Sequence, residues 1–310
     1  MHVKHMQQKQ SINPEIVAKC ITYVLWLHEM GGSNMDYNWA THASNYWVCD
    51  GIIGQQGQLE DESWEVSAAL HNQVQRMEFS SRPVKFTGHE HINVWKSVTY
   101  TSDTGEKENL TMLSQNLTSF FLVFNDKIDK TLPHEMFQQS ERLHVLKLSG
   151  CKFSFYLPPF RCCHSLRFLG LDHCEDQGRE EGGKQGRPIM EAFENLWVLD
   201  ISHTDWKFDL SQDLTEQKAS NIREVHIKKG RIWCRHLAWR RLQNLRKLRV
   251  IEPTSSWETG KEDEFTNMEK LELLGLSGNS TIQVLPSLSS TTSLRTLVLD
   301  GCVGLDHVGP

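Results

Sequence analysis

One pattern recurs along the last two thirds of this 310-residue chain. Each copy starts with a leucine or isoleucine, has apolar residues three and five positions later, and turns at a ninth position that is usually small or polar. The copies start at Leu143, Leu166, Leu196, Ile222, Leu245, Leu271 and Leu294, and a weaker copy starts at Leu117. The start-to-start spacings are 26, 23, 30, 26, 23, 26 and 23 residues. A period this regular constrains the fold more than any local feature does.

Units of this length and pattern are typical of leucine-rich repeats. Two apolar residues two positions apart point to the same face of a short strand, and stacked units bury these residues in one continuous core. The sequence therefore predicts an α/β repeat fold over residues 110–310. We expect a solenoid of about eight units with parallel strands lining its concave side. Leu-Pro steps at residues 132–133, 157–158 and 285–286 favour extended returns over long helices.

Three further expectations concern the ends of the repeat units. Cysteine, threonine or asparagine at the ninth position is expected to hydrogen-bond the turning backbone. Residues 175–190 are rich in glycine and charge, which indicates an inserted surface loop, with a functional lid as the alternative. The chain stops inside the last return, so we expect a truncated solenoid or one that is capped from outside.

Residues 1–100 contain no repeat and indicate a separate, small helical domain. A first helix is expected from Asn13-Pro14, an N-cap and first-turn pair, to the glycines at 31–32. Apolar spacing predicts two more helices, over 39–51 and 64–77. Extended segments at 84–86 and 94–100 suggest a β-hairpin.

The segment Trp47-Val48-Cys49-Asp50-Gly51-Ile52-Ile53 resembles a Trp-x-Ala-Glu-Gly-Phe-Ile signature. That signature lies in the winged-helix part of plant intracellular nucleotide-binding leucine-rich-repeat (NB-ARC) disease-resistance receptors. Residues 64–77 are similar to the helix that follows in that family, with Ala69, Leu70 and Arg76 as matches, and LHVLKLSGC at 143–151 resembles its repeats. The resemblance implies a winged-helix-like domain at 1–100 and a role in plant defense. It further implies repeats that sense a pathogen effector or a guarded host protein and hold a nucleotide-binding module shut.

The same resemblance implies ADP or ATP as a cofactor, but the phosphate-binding loop of that family is absent from this sequence. The nearest string, at residues 259–262, lacks both the leading glycine and the hydroxyl that would bind Mg²⁺. We therefore expect no cofactor in this chain, and a nucleotide-binding module, if one is involved, in another chain.

Composition and charge exclude several classes of function. The net charge of −6 argues against a dedicated nucleic-acid binder. The longest apolar run, residues 21–27, is too short to cross a bilayer, and the first residues lack the apolar core of a secretory signal, so a cytoplasmic location is expected. A secreted receptor, marked by sugar on Asn109 or Asn279, is an alternative.

No spacing of cysteine, histidine and acidic residues indicates catalysis or a metal. A zinc site could be imagined from Cys162, Cys163, His164, His173 and Cys174, but adjacent cysteines point to opposite sides of an extended chain. The sequence thus predicts no metal site, no catalytic residue and no enzyme.

The predicted function is protein recognition on the concave side of the solenoid, and the alternative is a free-standing scaffold or decoy for protein–protein interaction without immune signalling. The candidate contact residues flank the inward apolar positions: Lys147, Asp200, His203, Glu224, His226, Lys228, Lys247 and Arg249. Ten basic residues lie between 223 and 249, and an acidic stretch follows them at 252–272. Three interpretations of this basic run stay open: a solvated face neutralised by its neighbour, a patch for an acidic protein, or a nucleic-acid surface.

Overall fold

The computed structural model describes residues 13–30, 39–54, 60–76, 94–100, 113–125, 131–178, 194–206, 221–231, 242–255 and 265–306. The chain divides into two compact units, residues 1–88 and 89–310.

Among its described residues, the first unit contains three helices at the predicted places: α1 (Pro14–Met30), α2 (Trp39–Cys49) and α3 (Glu60–Arg76). Asn13 caps α1, since its Oδ1 accepts a hydrogen bond from the Glu15 amide at 2.9 Å. Cys20, Val24 and Leu27 are buried along one side of this helix, as their spacing predicted. Neither α1 nor the other described helices combine the length and apolarity that a bilayer crossing requires.

The segment that resembles the immune-receptor signature forms the end of α2. Gly51 adopts a left-handed conformation (φ 83°), which lets the chain fold back so that the amides of Ile52 and Ile53 both donate to the Trp47 carbonyl, at 2.9 and 3.1 Å. Trp47 is fully buried, with its ring edge-on to His71 of α3. These apolar residues therefore fix a helix end inside the core of this unit.

The second unit is a leucine-rich-repeat solenoid, as predicted. One sheet holds nine strands, and all its neighbours pair in parallel. In spatial order the strands are β1 (Trp95–Tyr100), β2 (Ser119–Phe124), β3 (Val145–Ser149), β5 (Phe168–Asp172), β7 (Val198–Ser202), β8 (Glu224–Lys228), β9 (Lys247–Ile251), β10 (Leu273–Gly275) and β11 (Thr296–Val298). A second, two-stranded parallel sheet pairs β4 (Lys152–Phe153) with β6 (Glu175–Asp176). Eight of the nine strands fall on the predicted repeat copies.

Strand β1 corrects the sequence analysis, which placed residues 94–100 in a hairpin of the first domain. Trp95 pairs in parallel with Ser119, and the rings of Tyr100 and Phe124 stack with centroids 4.9 Å apart. Val98 and Tyr100 pack against the repeat core. The sequence analysis did not assign this strand to the repeats because its inward positions hold valine and tyrosine instead of leucine. The other half of that hairpin, residues 84–86, lies outside the described part of the chain.

Cysteine, threonine and asparagine side chains at the ninth position hydrogen-bond the turning backbone as predicted, whereas Gly230 and Pro253 hold this position in two units without a side-chain donor. The Asn279 side-chain amide donates to the carbonyls of Val250 and Leu276, at 2.8 and 2.6 Å. Thiols take the same role, with Cys174 donating to Leu148 and Cys302 to Leu276. All three side chains reach a carbonyl of the preceding unit and so link consecutive repeats. Asn279 is buried in this role, which leaves it unable to carry sugar in the folded chain.

The described returns consist of turns and not of long helices, as the Leu-Pro steps predicted. They surround a row of aromatic side chains. Phe120, Phe137, Phe160 and Trp206 follow one another through near-perpendicular ring contacts, with centroid distances of 6.1, 6.3 and 6.4 Å. Of the predicted 175–190 loop, the first two residues form strand β6, and residues 179–190 lie outside the described ranges.

Candidate functional site: the polar outer face of the repeat sheet

The face of the nine-stranded sheet opposite the leucine core, here called the outer face, carries the predicted contact residues. Strand register aligns its side chains in columns that run across the sheet. The middle column reads Lys147, Gly170, Asp200, His226 and Arg249 from β3 to β9. Adjacent members lie one strand spacing apart, about 4.8 Å, so each side chain meets those of its neighbouring strands.

Lys147 and Asp200 form an ion pair across an intervening strand. Their charged atoms lie 3.9 Å apart, and both side chains are about nine-tenths buried. Gly170 stands between them in the register, and a methyl group added there would lie 3.0 Å from Phe168 Cε1 and 3.2 Å from Lys147 Cγ. The missing side chain at position 170 is therefore what lets the lysine reach across β5.

A second charged cluster joins β8 and β9. Buried Glu224 accepts hydrogen bonds from Lys247 Nζ, at 2.5 Å, and from His226 Nε2, at 3.4 Å. The guanidinium of Arg249 lies 3.3 Å from that same His226 nitrogen. Burial alone would raise the pKa of Glu224, but the His226 hydrogen bond and the charges of Lys247 and His226 outweigh it and lower that pKa. Glu224 is thus a buried carboxylate that holds Lys247 in place.

Accessible charge on this part of the outer face is mainly positive. Lys228 is exposed, and Lys247 and Arg249 are partly exposed. By contrast Lys147, Asp200, Glu224 and His226 are buried and paired with one another or with neighbours. The seven predicted contact residues that lie on the strands thus divide into a buried set that organises the face and an accessible set that can meet a partner, and the eighth, His203, lies in a turn.

Much of the predicted basic run is neutralised by neighbouring acids. Arg231 forms a two-point pair with Asp205, at 2.5 and 2.8 Å, Lys229 pairs with Glu252 at 3.4 Å, and Arg246 pairs with Glu272. These pairs favour the solvated-face interpretation for the basic residues that flank strands β8 and β9. Arg235, Arg240 and Arg241 of the same run lie outside the described residues.

His203 lies one residue beyond the end of β7, in the column of turn residues that follows the strands. It adopts a left-handed conformation (φ 48°), as does His173 in the preceding turn (φ 50°). The two imidazole rings stack with centroids 4.1 Å apart, and both Nδ1 atoms face Asp172 Oδ1, at 3.2 Å from His203 and 2.9 Å from His173. Sequence reasoning missed this cluster because it joins residues 30 positions apart.

The zinc site imagined from adjacent cysteines and histidines does not assemble. Cys163 is buried in the core, the Cys162 thiol faces the Phe137 carbonyl at 3.2 Å, and Cys174 closes a repeat turn. His164 is exposed. Among the described residues, His173 of that set belongs to a group of three ligand-type side chains, with His203 and Asp172.

The sequence matches no protein-family model and no curated protein. Its fold is similar to several solved leucine-rich-repeat structures. A leucine-rich-repeat protein of Leptospira interrogans is 21% identical, with a TM-score of 0.39 over 62% of this chain and 52% of that one. An internalin of Listeria monocytogenes is 14% identical, with a TM-score of 0.33 over 60% of this chain and 62% of that one.

The leucine-rich-repeat domain of the type III effector XopL is 16% identical, with a TM-score of 0.45 over 98% of this chain and 92% of that one. The chain spans about half the length of the Leptospira protein and under two thirds of the internalin. Its own repeat spacing and strand register identify it as a leucine-rich-repeat protein, a class whose fold is a general scaffold for protein–protein interaction.

Proposed function

We propose that this chain recognises a protein partner with an acidic surface through the outer face of β8 and β9, and that it catalyses no reaction. The supporting observation is the charge of these two strands. Their cations, Lys228, Lys247 and Arg249, outnumber their one carboxylate, Glu224, by two, and His226 adds no negative charge. Complementary charge speeds association and selects against basic partners.

The geometry of the face supports binding at low entropic cost. Lys247 is held by buried Glu224 and Arg249 lies beside His226, so two of the three cations are already positioned before a partner arrives. Ordering long side chains on association costs about 0.5–1.5 kcal/mol each, and preorganisation removes part of that cost. Lys228 is the exposed member of the three and would make the first contact with the partner.

We further propose, on the resemblance around Trp47–Ile53 and in the first repeats, a role in plant defense. The partner would be a pathogen effector or a guarded host protein, met in the cytoplasm. Cys174 and Cys302 support a reducing compartment, because each acts as a thiol hydrogen-bond donor in a repeat turn. The phosphate-binding loop is not in these 310 residues, so any nucleotide chemistry implied by the resemblance is assigned to a module outside them.

The experiment has two stages. Proximity labelling of the full chain in plant leaf cells nominates partners, and each nominated protein is then purified and its Kd measured against the purified chain. Lys228→Glu, alone and combined with Arg249→Gln, should raise the Kd of an acidic partner at least tenfold through lost attraction. Lys270→Glu is the matched control, because Lys270 is an exposed lysine in the turn before β10 and not on the outer face. Equal Kd values for the Lys228 and Lys270 variants would contradict the proposal.

The defense role is tested separately from binding. If the Lys228→Glu variant loses the partner and the defense response of leaf tissue to that partner falls with it, the immune-receptor proposal is supported. If binding is lost while the response is unchanged, the free-standing scaffold or decoy is the better account, and the outer-face proposal still stands.

A further inference from the structure

We propose that Asp172, His173 and His203 form a Zn²⁺ site at the carboxyl ends of β5 and β7. These three side chains offer one carboxylate oxygen and two imidazole nitrogens, all within 4.8 Å of one another. The inference is independent of the proposed protein partner, because the site is built from this chain alone.

The spacing of the ligand atoms fits one ion. Zinc binds imidazole nitrogen and carboxylate oxygen at about 2.0–2.2 Å, so two ligands of one tetrahedral ion stand about 3.3–3.6 Å apart. Asp172 Oδ1 lies 2.9 Å from His173 Nδ1 and 3.2 Å from His203 Nδ1. These separations are a few tenths of an ångström shorter than the spacing around zinc, so the ligand atoms need to move apart only slightly.

The chemistry of the donor set selects the metal class. Magnesium and calcium prefer all-oxygen surroundings, whereas imidazole favours zinc and the later first-row metals. Three protein ligands leave one position of a tetrahedral zinc ion open for water or for a side chain from another molecule.

An outer hydrogen bond orients the carboxylate. Ser149 Oγ, on the neighbouring strand β3, donates to Asp172 Oδ2 at 3.3 Å. This bond engages the oxygen that does not face the histidines and leaves Oδ1 directed at them. Partners of this kind commonly account for 10–100-fold in metal affinity.

The two histidines occupy a turn position where glycine is the less strained choice. Corresponding turns hold Gly150, Gly278 and Gly301, and also Lys229 and Glu252, all with positive φ, because the turn after each strand requires a left-handed residue. A side chain in that conformation is strained relative to glycine. The fold therefore explains the backbone conformation but not the choice of histidine in two consecutive turns. A shared ligand for the two rings explains that choice.

Binding requires the two rings to open from their stack. They now lie nearly parallel, at 13°, whereas each metal–nitrogen bond lies in the plane of its imidazole. Both side chains have room to turn, since 61% of His173 and 29% of His203 is exposed. Lys229, in the turn that follows the one with His203, is paired with Glu252 at 3.4 Å, which offsets its positive charge. We therefore expect a weaker site than a closed four-ligand one.

The test is a calorimetric titration of ZnCl₂ into the purified full chain and into variants that keep the turn. His173→Gly and His203→Gly remove a ligand and also relieve the left-handed conformation, so the fold should be retained. Lys229→Gly is the matched control: the same kind of turn residue (φ 49°), with no ligand removed. His164→Ala controls for the loss of an exposed imidazole elsewhere.

The wild type and both controls should bind one more Zn²⁺ than the His173→Gly/His203→Gly double variant. Each single glycine variant should weaken that ion at least tenfold, and Ser149→Ala about tenfold. Zinc should also shift the imidazole nitrogen NMR signals of His173 and His203 in the wild type. A double variant that binds the same number of ions with the same affinities, or unshifted signals for both histidines, would overturn the proposal.

Discussion

The middle strands and the last strand of the repeat sheet follow the same sequence pattern, but their apolar side chains are buried to different extents. In β5 and β7 the inward residues, such as Leu169 and Leu199, are almost completely buried. In β11 all three residues are exposed, with Leu297 at 36% and Val298 at 38%. A middle strand is covered by a unit on each side, whereas β11 pairs only with β10 among the described strands. The contribution of a leucine to the free energy of unfolding therefore depends on its neighbours and not on its place in the motif.

The largest expected effect tests that difference directly. Leu199→Ala should lower the free energy of unfolding by about 3–4 kcal/mol, because it leaves a cavity between two packed units. Leu297→Ala, the equivalent change in β11, should cost less than about 1 kcal/mol. Urea denaturation of both variants measures the two values. Equal losses would mean that β11 is covered as well as β7 is.

Charged pairs offer the same comparison between buried and exposed positions. Glu224→Gln should cost about 2 kcal/mol at pH 7, because the buried carboxylate accepts from both Lys247 and His226. Glu252→Gln, which alters the exposed pair with Lys229, should cost less than about 0.5 kcal/mol.

Acid should separate these two variants further. The pKa of Glu224 is lower in the folded chain than its ordinary value of 4.5, so the unfolded state takes up the proton first. The stability that this carboxylate contributes is complete above that value and is lost as the pH falls below it. The wild type and Glu252→Gln should therefore lose stability below about pH 4.5 more steeply than Glu224→Gln does. Parallel pH profiles for all three proteins would show that Glu224 does not carry this ion pairing.

The smallest effect compares two glycines of the middle column. Gly170→Ala should cost about 1 kcal/mol, because the new methyl group crowds Phe168 and displaces Lys147 from its path to Asp200. Gly275→Ala should be neutral or slightly stabilising, since its methyl group would meet Arg249 Cγ at 3.4 Å, an ordinary contact. Thermal unfolding midpoints measure both, and a larger loss for Gly275→Ala would contradict the role given to Gly170.

The sequence predicts most of this fold because the repeat specifies both the strand and its core-facing side. Leu146 and Leu148 lie two positions apart and are buried together, and the turn role of Asn279 follows from its position in the unit. Strand β1 escaped prediction because its inward residues, Val98 and Tyr100, lack the leucine pattern.

Individual features of the outer face were less predictable. Periodicity identifies Lys147 and Glu224 as outward residues, but their burial depends on neighbours 23 or more positions away. The contact of Asp172 with His203 likewise requires the register of β5 with β7, which local spacing does not reveal. The same register aligns Lys147, Gly170 and Asp200, so the role of that glycine becomes visible only in the folded sheet.

The central claim, recognition through the outer face of β8 and β9, is tested most directly by footprinting lysines in the complex. The purified chain is acetylated with and without a saturating partner, and mass spectrometry measures the modification of each lysine. We expect the partner to protect Lys228 and Lys247 and to leave Lys270, in the turn before β10, as reactive as in the free chain. Protection of Lys270 with unchanged reactivity at Lys228 and Lys247 would contradict it and would place the partner on the returns of the solenoid.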